Sequence, residues 1–95
     1  MPKLDQIAGA GTGKSIVLER QKTLFGRHPN CDVVVDASAV SRYHAQITKR
    51  GEAFYVEDLG SRNGTFLNEQ TIGKPTKLAH HDNVRICDVI YTYKV

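Results

Sequence analysis

Short runs of apolar and β-branched residues recur along the chain, and Gly, Asn, Asp and Pro separate them. Because these runs are three to five residues long, they are typical of strands. They predict strands at 4–7, 16–18, 23–25, 33–35, 45–48, 54–57, 65–67, 70–72, 84–86 and 89–93. No longer stretch has apolar residues at the i, i+3, i+4 spacing of an amphipathic helix. The pattern therefore favours an all-β sandwich or barrel.

Two turn sequences indicate hairpins between neighbouring runs. Arg50-Gly51-Glu52 separates the runs at 45–48 and 54–57, and Asn68-Glu69 separates those at 65–67 and 70–72. The run at 33–35 consists of three valines and is predicted to be a short buried strand. In such folds, function usually depends on loops at one end of the sandwich.

Length and composition predict one globular domain over residues 1–95. The residues are 40% hydrophobic and 24% charged, the balance of a soluble protein. No apolar run approaches the ~20 residues of a membrane helix, and Met1–Asp5 lacks the apolar core of a signal peptide. We therefore expect a cytoplasmic protein without a membrane partner.

The net charge of +3 and the pI of about 9.0 are compatible with an anionic ligand. The Lys and Arg residues are scattered, and there are only four Tyr and three Phe. A nucleic-acid binder usually concentrates basic residues around aromatic platforms, so no nucleic-acid partner is predicted. Cys31 and Cys87 fit no metal or redox motif, and we predict free thiols, because their spacing does not support a disulfide.

Three polar segments stand at strand ends, about 15 to 20 residues apart, as a sandwich requires to bring them to one end. They are Phe25–Arg27, Ser41–His44 and Ser61–Thr65.

The side chains of these segments suit a phosphate. A phosphorylated side chain carries about −1.5 to −2 charges and three acceptor oxygens. Arg27 and Arg42 supply permanently charged, fork-shaped donors. Ser41 supplies a hydroxyl donor, and the amide of Asn63 can hold a peptide backbone.

The order of these motifs resembles the forkhead-associated (FHA) family: Gly-Arg, then Ser-x-x-His, then Asn-Gly-Thr, then Asn68. The segments at 33–36, 57–61 and 78–84 are also similar to those of the family. The resemblance extends over almost the whole chain, from Lys3 to Tyr93, with a motif core at 24–93. Each motif alone is weak, and their joint order and spacing carry the resemblance.

The resemblance implies an FHA-like β-sandwich of about eleven strands that binds phosphothreonine peptides through loops at one end. By motif position, Arg27 and Ser41 are expected to contact the phosphate. Arg42 is expected on the phosphate or the adjacent peptide, and Asn63 on the peptide backbone. Arg62 stands where many relatives have Ser or Thr, so it either adds a phosphate or peptide contact or points to solvent.

Other matching residues are expected to support the site without contacting the phosphate. The side chain of His44 is expected to brace the Ser41 loop. The remaining supporting residues are expected to shape loops: Gly26, Gly64, Thr65 and Asn68.

The chain departs from the family pattern in two turns. His81 replaces the usual Gly before Asp82, and Asn68-Glu69 replaces a common Asn-Gly. We expect changed turn geometry there, without loss of binding.

Residues Ala8–Ser15 satisfy a relaxed phosphate-loop pattern. That motif requires a buried strand before it and a helix after it, whose amides hold the phosphates. The segment is followed by a strand-like run instead, so we interpret it as a hairpin loop.

Metal and hydrolytic sites are weaker alternatives. His28 lies near Cys31 and His80 adjoins His81, but no four ligands have zinc spacing. Ser41–His44 lacks an oxyanion-hole signature. No catalytic residue, cofactor or metal ligand is predicted.

The sequence therefore predicts a non-enzymatic module for phosphorylation-dependent protein interaction. The expected partner is a threonine-phosphorylated protein, either a kinase substrate or a kinase itself. One alternative is an FHA fold that binds its partner without phosphate; the presence of Arg27, Ser41 and Asn63 argues against it.

Overall fold

The computed structural model describes residues 1–95 and contains eleven strands and no helix. The strands are β1 (Lys3–Ala8), β2 (Ser15–Val17), β3 (Lys22–Gly26), β4 (Val33–Val34), β5 (Ala45–Arg50), β6 (Ala53–Asp58), β7 (Thr65–Leu67), β8 (Gln70–Ile72), β9 (Thr76–Lys77), β10 (Asn83–Ile86) and β11 (Val89–Lys94). The predicted all-β class is confirmed. No helix of the kind that crosses a membrane is present.

The strands form two sheets that pack face to face. One has six strands in the order β2-β1-β11-β10-β7-β8, with every neighbouring pair antiparallel. The other has five strands in the order β4-β3-β5-β6-β9, and β3 and β4 form its parallel pair.

Alternate side chains of the central strands form the core between the sheets. In β5 and β6 the inward positions are Ala45, Ile47, Phe54 and Val56, each no more than 2% exposed. Full burial of one such large apolar side chain stabilises a fold by about 1.5–3 kcal/mol. These residues fix the register of the two strands, because a slip of one residue would turn them to solvent.

The ten strands predicted from the sequence are all present, and no strand end differs by more than two residues. The eleventh, β9, was missed because Thr76–Lys77 contains no apolar residue. It is a strand because the edge of β6 offers backbone partners at Tyr55 and Val56. Its formation therefore depends on a tertiary neighbour.

The prediction of a buried strand at 33–35 was wrong in its burial and its end. Strand β4 contains only Val33 and Val34 and lies at a sheet edge, with β3 as its one neighbour. Val34 is 51% exposed, and Val35, which follows the strand, is buried. A run of valines indicates extended backbone but does not distinguish an edge from a central position.

The two turns in which the sequence departs from the family pattern have a left-handed backbone. Asn68 and Glu69 have φ angles of 50° and 68°, as a two-residue hairpin turn of type I′ requires. His81 has a φ angle of 74°. The changed turn geometry stays a prediction; Glu69 and His81, the two residues that replace glycine, adopt the left-handed conformation that glycine adopts with least strain.

Replacement of His81 by Gly should stabilise the protein. A non-glycine residue in this conformation costs about 1–2 kcal/mol, and the greater freedom of glycine in the unfolded chain offsets part of the gain. We expect His81→Gly to raise the free energy of unfolding by about 0.5–1 kcal/mol, or Tm by about 2–8 °C.

Thermal unfolding monitored by circular dichroism would measure the change. His80→Gly is the matched control, since His80 lies in the same turn without a positive φ. That variant should be no more stable than the wild type. An equal or lower Tm for His81→Gly would contradict the strain assigned to this turn.

Candidate functional site

Three loops meet at one end of the sandwich and are joined at Ser41. They follow β3 (residues 27–32), β4 (35–44) and β6 (59–64). The Arg27 N–H donates to the Ser41 carbonyl at 3.1 Å, and the Arg62 N–H donates to the Ser41 hydroxyl oxygen at 2.9 Å. The structure thus brings the three polar segments of the sequence together, with Ser41 between two arginine backbones.

Gly26 allows the Ser41 loop to lie directly against strand β3. A Cβ at this position would be 2.0 Å from the Arg42 carbonyl oxygen, far inside van der Waals contact. The same carbonyl accepts hydrogen bonds from the His28 N–H and the Cys31 thiol, both at 3.2 Å. Gly26 is therefore required by close approach of backbone to backbone.

His44 connects two of the loops from inside the protein. Its side chain is fully buried. Nδ1 accepts a hydrogen bond from the Ser41 N–H at 3.1 Å, and Nε2 lies 2.8 Å from the Gly64 carbonyl oxygen. The neutral tautomer with its proton on Nε2 satisfies both contacts. The expected bracing of the Ser41 loop is therefore seen, and it extends to the Asn63-Gly64 loop.

Asp58 organises the third loop and was not singled out by sequence reasoning. Its carboxylate accepts hydrogen bonds from the Ser61 N–H at 2.9 Å, the Thr65 hydroxyl at 2.7 Å and the Ser61 hydroxyl. The Ser61 oxygen accepts in turn from the Gly64 N–H, where φ is +86°. The signal available in the sequence was an Asp with a Ser three residues later, a common turn pattern.

The ionised form of Asp58 is the form that the loop favours. Burial by itself raises the pKa of this carboxyl group. The hydrogen bonds from Ser61 and Thr65 outweigh burial and hold the pKa below its usual value. The ionised Asp58 carboxylate thus fixes the loop that presents Arg62 and Asn63.

Arg27 and Ser41 keep donors available at the surface. The Nε of Arg27 donates to the Val40 carbonyl at 3.0 Å, which orients the guanidinium and leaves its terminal nitrogens without a partner in the chain. The Ser41 hydroxyl oxygen accepts from the Arg62 N–H, and its own proton has no acceptor in the chain. The terminal nitrogens of Arg27 and the hydroxyl of Ser41 together form an oriented donor set at the surface.

Asn63, Arg42 and Arg62 surround that donor set. The side-chain amide of Asn63 donates to the Ala39 carbonyl at 2.7 Å, which leaves Oδ1 and one N–H available. Arg42 and Arg62 are exposed, and neither forms an ion pair with a carboxylate. The five expected binding residues therefore lie on adjoining loops.

Asn68 lies away from the other predicted residues. It follows the far end of β7, whose first residue, Thr65, is at the site. Its amide donates to Asp82 at 3.0 Å and accepts from the Asn83 N–H at 2.9 Å. Asn68 shapes a pair of turns at the other end of the strand.

Both cysteines are free, as predicted, and both contact the Ser41 loop. The Cys87 thiol donates to the Ala39 carbonyl at 3.3 Å, the acceptor that Asn63 also uses. Burial raises the pKa of the Cys31 thiol, which favours its neutral form. Sequence spacing gave no indication that these thiols pack against the loop.

An aromatic pair next to the arginines was also missed. Tyr43 stacks on His28, with ring centroids 5.1 Å apart and planes 29° from parallel. Tyr43 is 44% exposed. The pair joins the loop after β3 to the loop that carries Ser41.

The phosphate-loop-like segment Ala8–Ser15 connects two antiparallel strands, and no helix follows it. Its Gly13 N–H donates to Gln6 at 2.9 Å, and its Lys14 N–H donates to Gly11 at 3.3 Å. These amides are used within the turn and do not converge on one point. The observation supports the hairpin-loop interpretation.

The larger cavity of the protein, about 720 Å³, lies between the β2 and β4 edges of the two sheets. None of the five expected binding residues lines it. The candidate site is therefore an exposed surface of loops, which suits a peptide better than a small enclosed ligand.

Replacement of Asp58 by Asn should destabilise the protein in a pH-dependent way. Because the pKa is lowered in the folded state, the stabilisation is present above the unfolded-state pKa of about 3.9. It is lost as the pH falls through the lower folded-state pKa. We expect Asp58→Asn to cost about 1–3 kcal/mol at pH 7, with a smaller difference from wild type near pH 2.5.

Urea unfolding at the two pH values would measure this difference. Asp36→Asn is the control with the same charge change, because Asp36 is exposed and accepts no hydrogen bond from the chain. It should leave the urea midpoint nearly unchanged at both pH values. An Asp58→Asn deficit of equal size at both would contradict the role of the ionised carboxylate.

Comparison with known proteins agrees with this geometry. The family model described as "FHA domain" matches residues 23–87, which is more than half of the chain. The chain is similar to the glycogen accumulation regulator GarA of Mycolicibacterium smegmatis, with 38% identity over 78 residues, 82% of this chain and 49% of GarA. It is 35% identical over 78 residues to the oxoglutarate dehydrogenase inhibitor of Corynebacterium jeikeium, covering 82% of this chain and 54% of the inhibitor.

These two relatives are longer, and the chain spans about half the length of each. Among solved structures, Mycobacterium tuberculosis EmbR in complex with low affinity phosphopeptide superimposes with a TM-score of 0.90 at 31% identity. That match covers 99% of this chain and 24% of the EmbR chain. The family model, the sandwich and the three joined loops lead to one conclusion: the chain belongs to the forkhead-associated domain family.

Proposed function

We propose that this chain is a phosphothreonine-peptide recognition module that mediates phosphorylation-dependent protein–protein interaction in signalling. The observation that carries the proposal is the donor set at Ser41. A hydroxyl proton without an acceptor in the chain lies on the loop that joins Arg27, Arg42 and Arg62. EmbR, part of which is similar to nearly the whole of this chain, has been solved with a phosphopeptide.

A phosphate group is opposite in charge to these donors and offers several acceptor oxygens to them. Ser41 donates its hydroxyl proton, while the Arg62 N–H holds the hydroxyl oxygen in place. Arg27 presents its terminal nitrogens, because its Nε is anchored on Val40. Charge-assisted hydrogen bonds of this kind contribute about 1.5–3 kcal/mol each.

Asn63 is assigned to the peptide backbone beside the phosphothreonine. Its anchored amide keeps one acceptor and one donor available, the pair that an extended peptide unit requires. The peptide then lies across the loops, with its phosphate between Ser41 and Arg27.

The loops are held in position before any ligand binds. His44 joins the Ser41 loop to Gly64, and Asp58 closes the turn that carries Asn63. A preorganised site avoids the entropic cost of ordering loops upon binding. A few exposed contacts can then support the micromolar affinity that corresponds to about −8 kcal/mol.

The arrangement does not favour nucleophilic catalysis by Ser41. Both ring nitrogens of His44 contact backbone groups, and neither faces the Ser41 hydroxyl. The Ser41 oxygen accepts from the Arg62 N–H, and the hydroxyl proton has no base to accept it. A general base must lie within hydrogen-bond reach of the proton that it removes. We therefore propose binding without a reaction.

The proposed partner is a threonine-phosphorylated protein, either a kinase substrate or a kinase itself. GarA and the oxoglutarate dehydrogenase inhibitor have further residues beyond the part that matches this chain. The alternative of phosphate-independent binding would leave Arg27, Ser41 and Asn63 without a common ligand.

Replacement of Arg27 by Ala should weaken phosphopeptide binding at least tenfold, or about 1.4 kcal/mol, because it removes an oriented guanidinium. Fluorescence polarisation against a degenerate phosphothreonine peptide pool would measure this, beside pools with phosphoserine and unphosphorylated threonine. Binding should also weaken as salt is raised, since the contact is exposed.

Arg50→Ala is the control for lost positive charge, since Arg50 lies at the opposite end of β5 and stacks on Tyr55. It should bind like the wild type. Unchanged affinity in Arg27→Ala would reject the role of Arg27. A folded protein that binds none of the pools would favour the phosphate-independent alternative.

A further inference from the structure

The site has more positive charge than a single phosphate can balance. Arg27, Arg42 and Arg62 are joined through Ser41: one donates its N–H to the Ser41 carbonyl, one follows Ser41 in the chain, and one donates its N–H to the hydroxyl oxygen. None of the three forms an ion pair. A phosphate carries about −1.5 to −2 charges at neutral pH, so about one positive charge remains.

No carboxylate of the three loops is placed to balance that charge. Asp58 is held by the hydroxyls of Ser61 and Thr65 within its own turn. Asp32 is paired with Arg20 at 2.7 Å. Asp36 lines the cavity between the β2 and β4 edges.

Of the three arginines, Arg62 is the one best placed to bind a group of the peptide other than the phosphate. Arg27 has its Nε fixed on Val40, and its backbone binds Ser41 directly. Arg62 adjoins Asn63, the residue assigned to the peptide backbone, and lies on the turn that Asp58 holds. Its backbone is fixed by the contact with Ser41, and its side chain is exposed without a partner.

We propose that Arg62 makes this site selective for peptides that carry a second negative charge close to the phosphothreonine. This inference rests on the function proposed above. The shared chemistry is an oxyanion that a guanidinium can bind through two hydrogen bonds. Either a Glu or Asp side chain or a second phosphorylated residue supplies it.

The test compares peptides that differ in one charge. The reference is a phosphothreonine peptide with alanine at the three positions on each side. Six further peptides carry one Glu, each at a different position, and six carry phosphoserine at the same positions. At least one Glu peptide should bind about three- to tenfold more tightly than the reference. A preference limited to the phosphoserine series would assign the second charge to a phosphate.

Variants then assign the preference to a residue. In Arg62→Gln the advantage of the best charged peptide over the reference should fall below about twofold. Arg50→Gln removes the same charge at the opposite end of β5 and should keep the full advantage. Arg42→Gln should weaken the charged and reference peptides by similar factors. The ratio of the two affinities is the readout, so a general loss of stability does not imitate the result.

Three outcomes would overturn the proposal. The first is a protein that binds the reference phosphopeptide but gains nothing from a second charge. The second is an Arg62→Gln variant that keeps the advantage, and the third is an advantage lost in Arg42→Gln instead. Failure to bind any phosphopeptide would reject the proposed function, and the inference with it.

Discussion

The hydrogen bonds of the buried His44 ring are the interaction on which the site depends. One nitrogen holds the Ser41 N–H, the other faces the Gly64 carbonyl, and the side chain is inaccessible to solvent. A buried imidazole without both partners would leave a polar group unsatisfied, at a cost of about 1–3 kcal/mol. The ring is therefore stable only when the two loops stand at one fixed separation, and that separation places Ser41 beside Arg62 and Asn63.

The surrounding contacts fix the same geometry from outside. Gly26 lets the Ser41 loop lie against β3, since any larger residue would collide with the Arg42 carbonyl. Asp58 holds the third loop through two hydroxyls and a backbone N–H. Buried or half-buried groups thus set the backbone, and the exposed side chains above it are available for a ligand. This division explains how three arginines come together on a rigid surface.

Two turns away from the site hold non-glycine residues in a strained conformation. Glu69 and His81 keep a left-handed backbone without the glycine that would relax it. Both lie in turns at the end of the sandwich away from Ser41, and Asn68 joins these turns through Asp82 and Asn83. A hydrogen-bonded pair of turns can hold a residue in a conformation that it would not adopt alone. The sequence shows that glycine is absent there, but the conformation depends on the hydrogen bonds.

The sequence by itself determined the all-β class, ten of the eleven strands and the identity of the five expected binding residues. It did so because hydrophobic alternation and turn residues are local signals. The order of the motifs can also be read from the sequence without knowledge of tertiary contacts. Only the tertiary structure decided that β4 is an exposed edge and that Thr76–Lys77 forms a strand, since both depend on which neighbour a strand has. It also decided the roles of Asp58 and the stacked Tyr43. Asp58 binds Ser61 and Thr65 within its own turn. The partner of Tyr43, which is His28, and the three arginines around Ser41 come from segments far apart in the chain that meet only on folding.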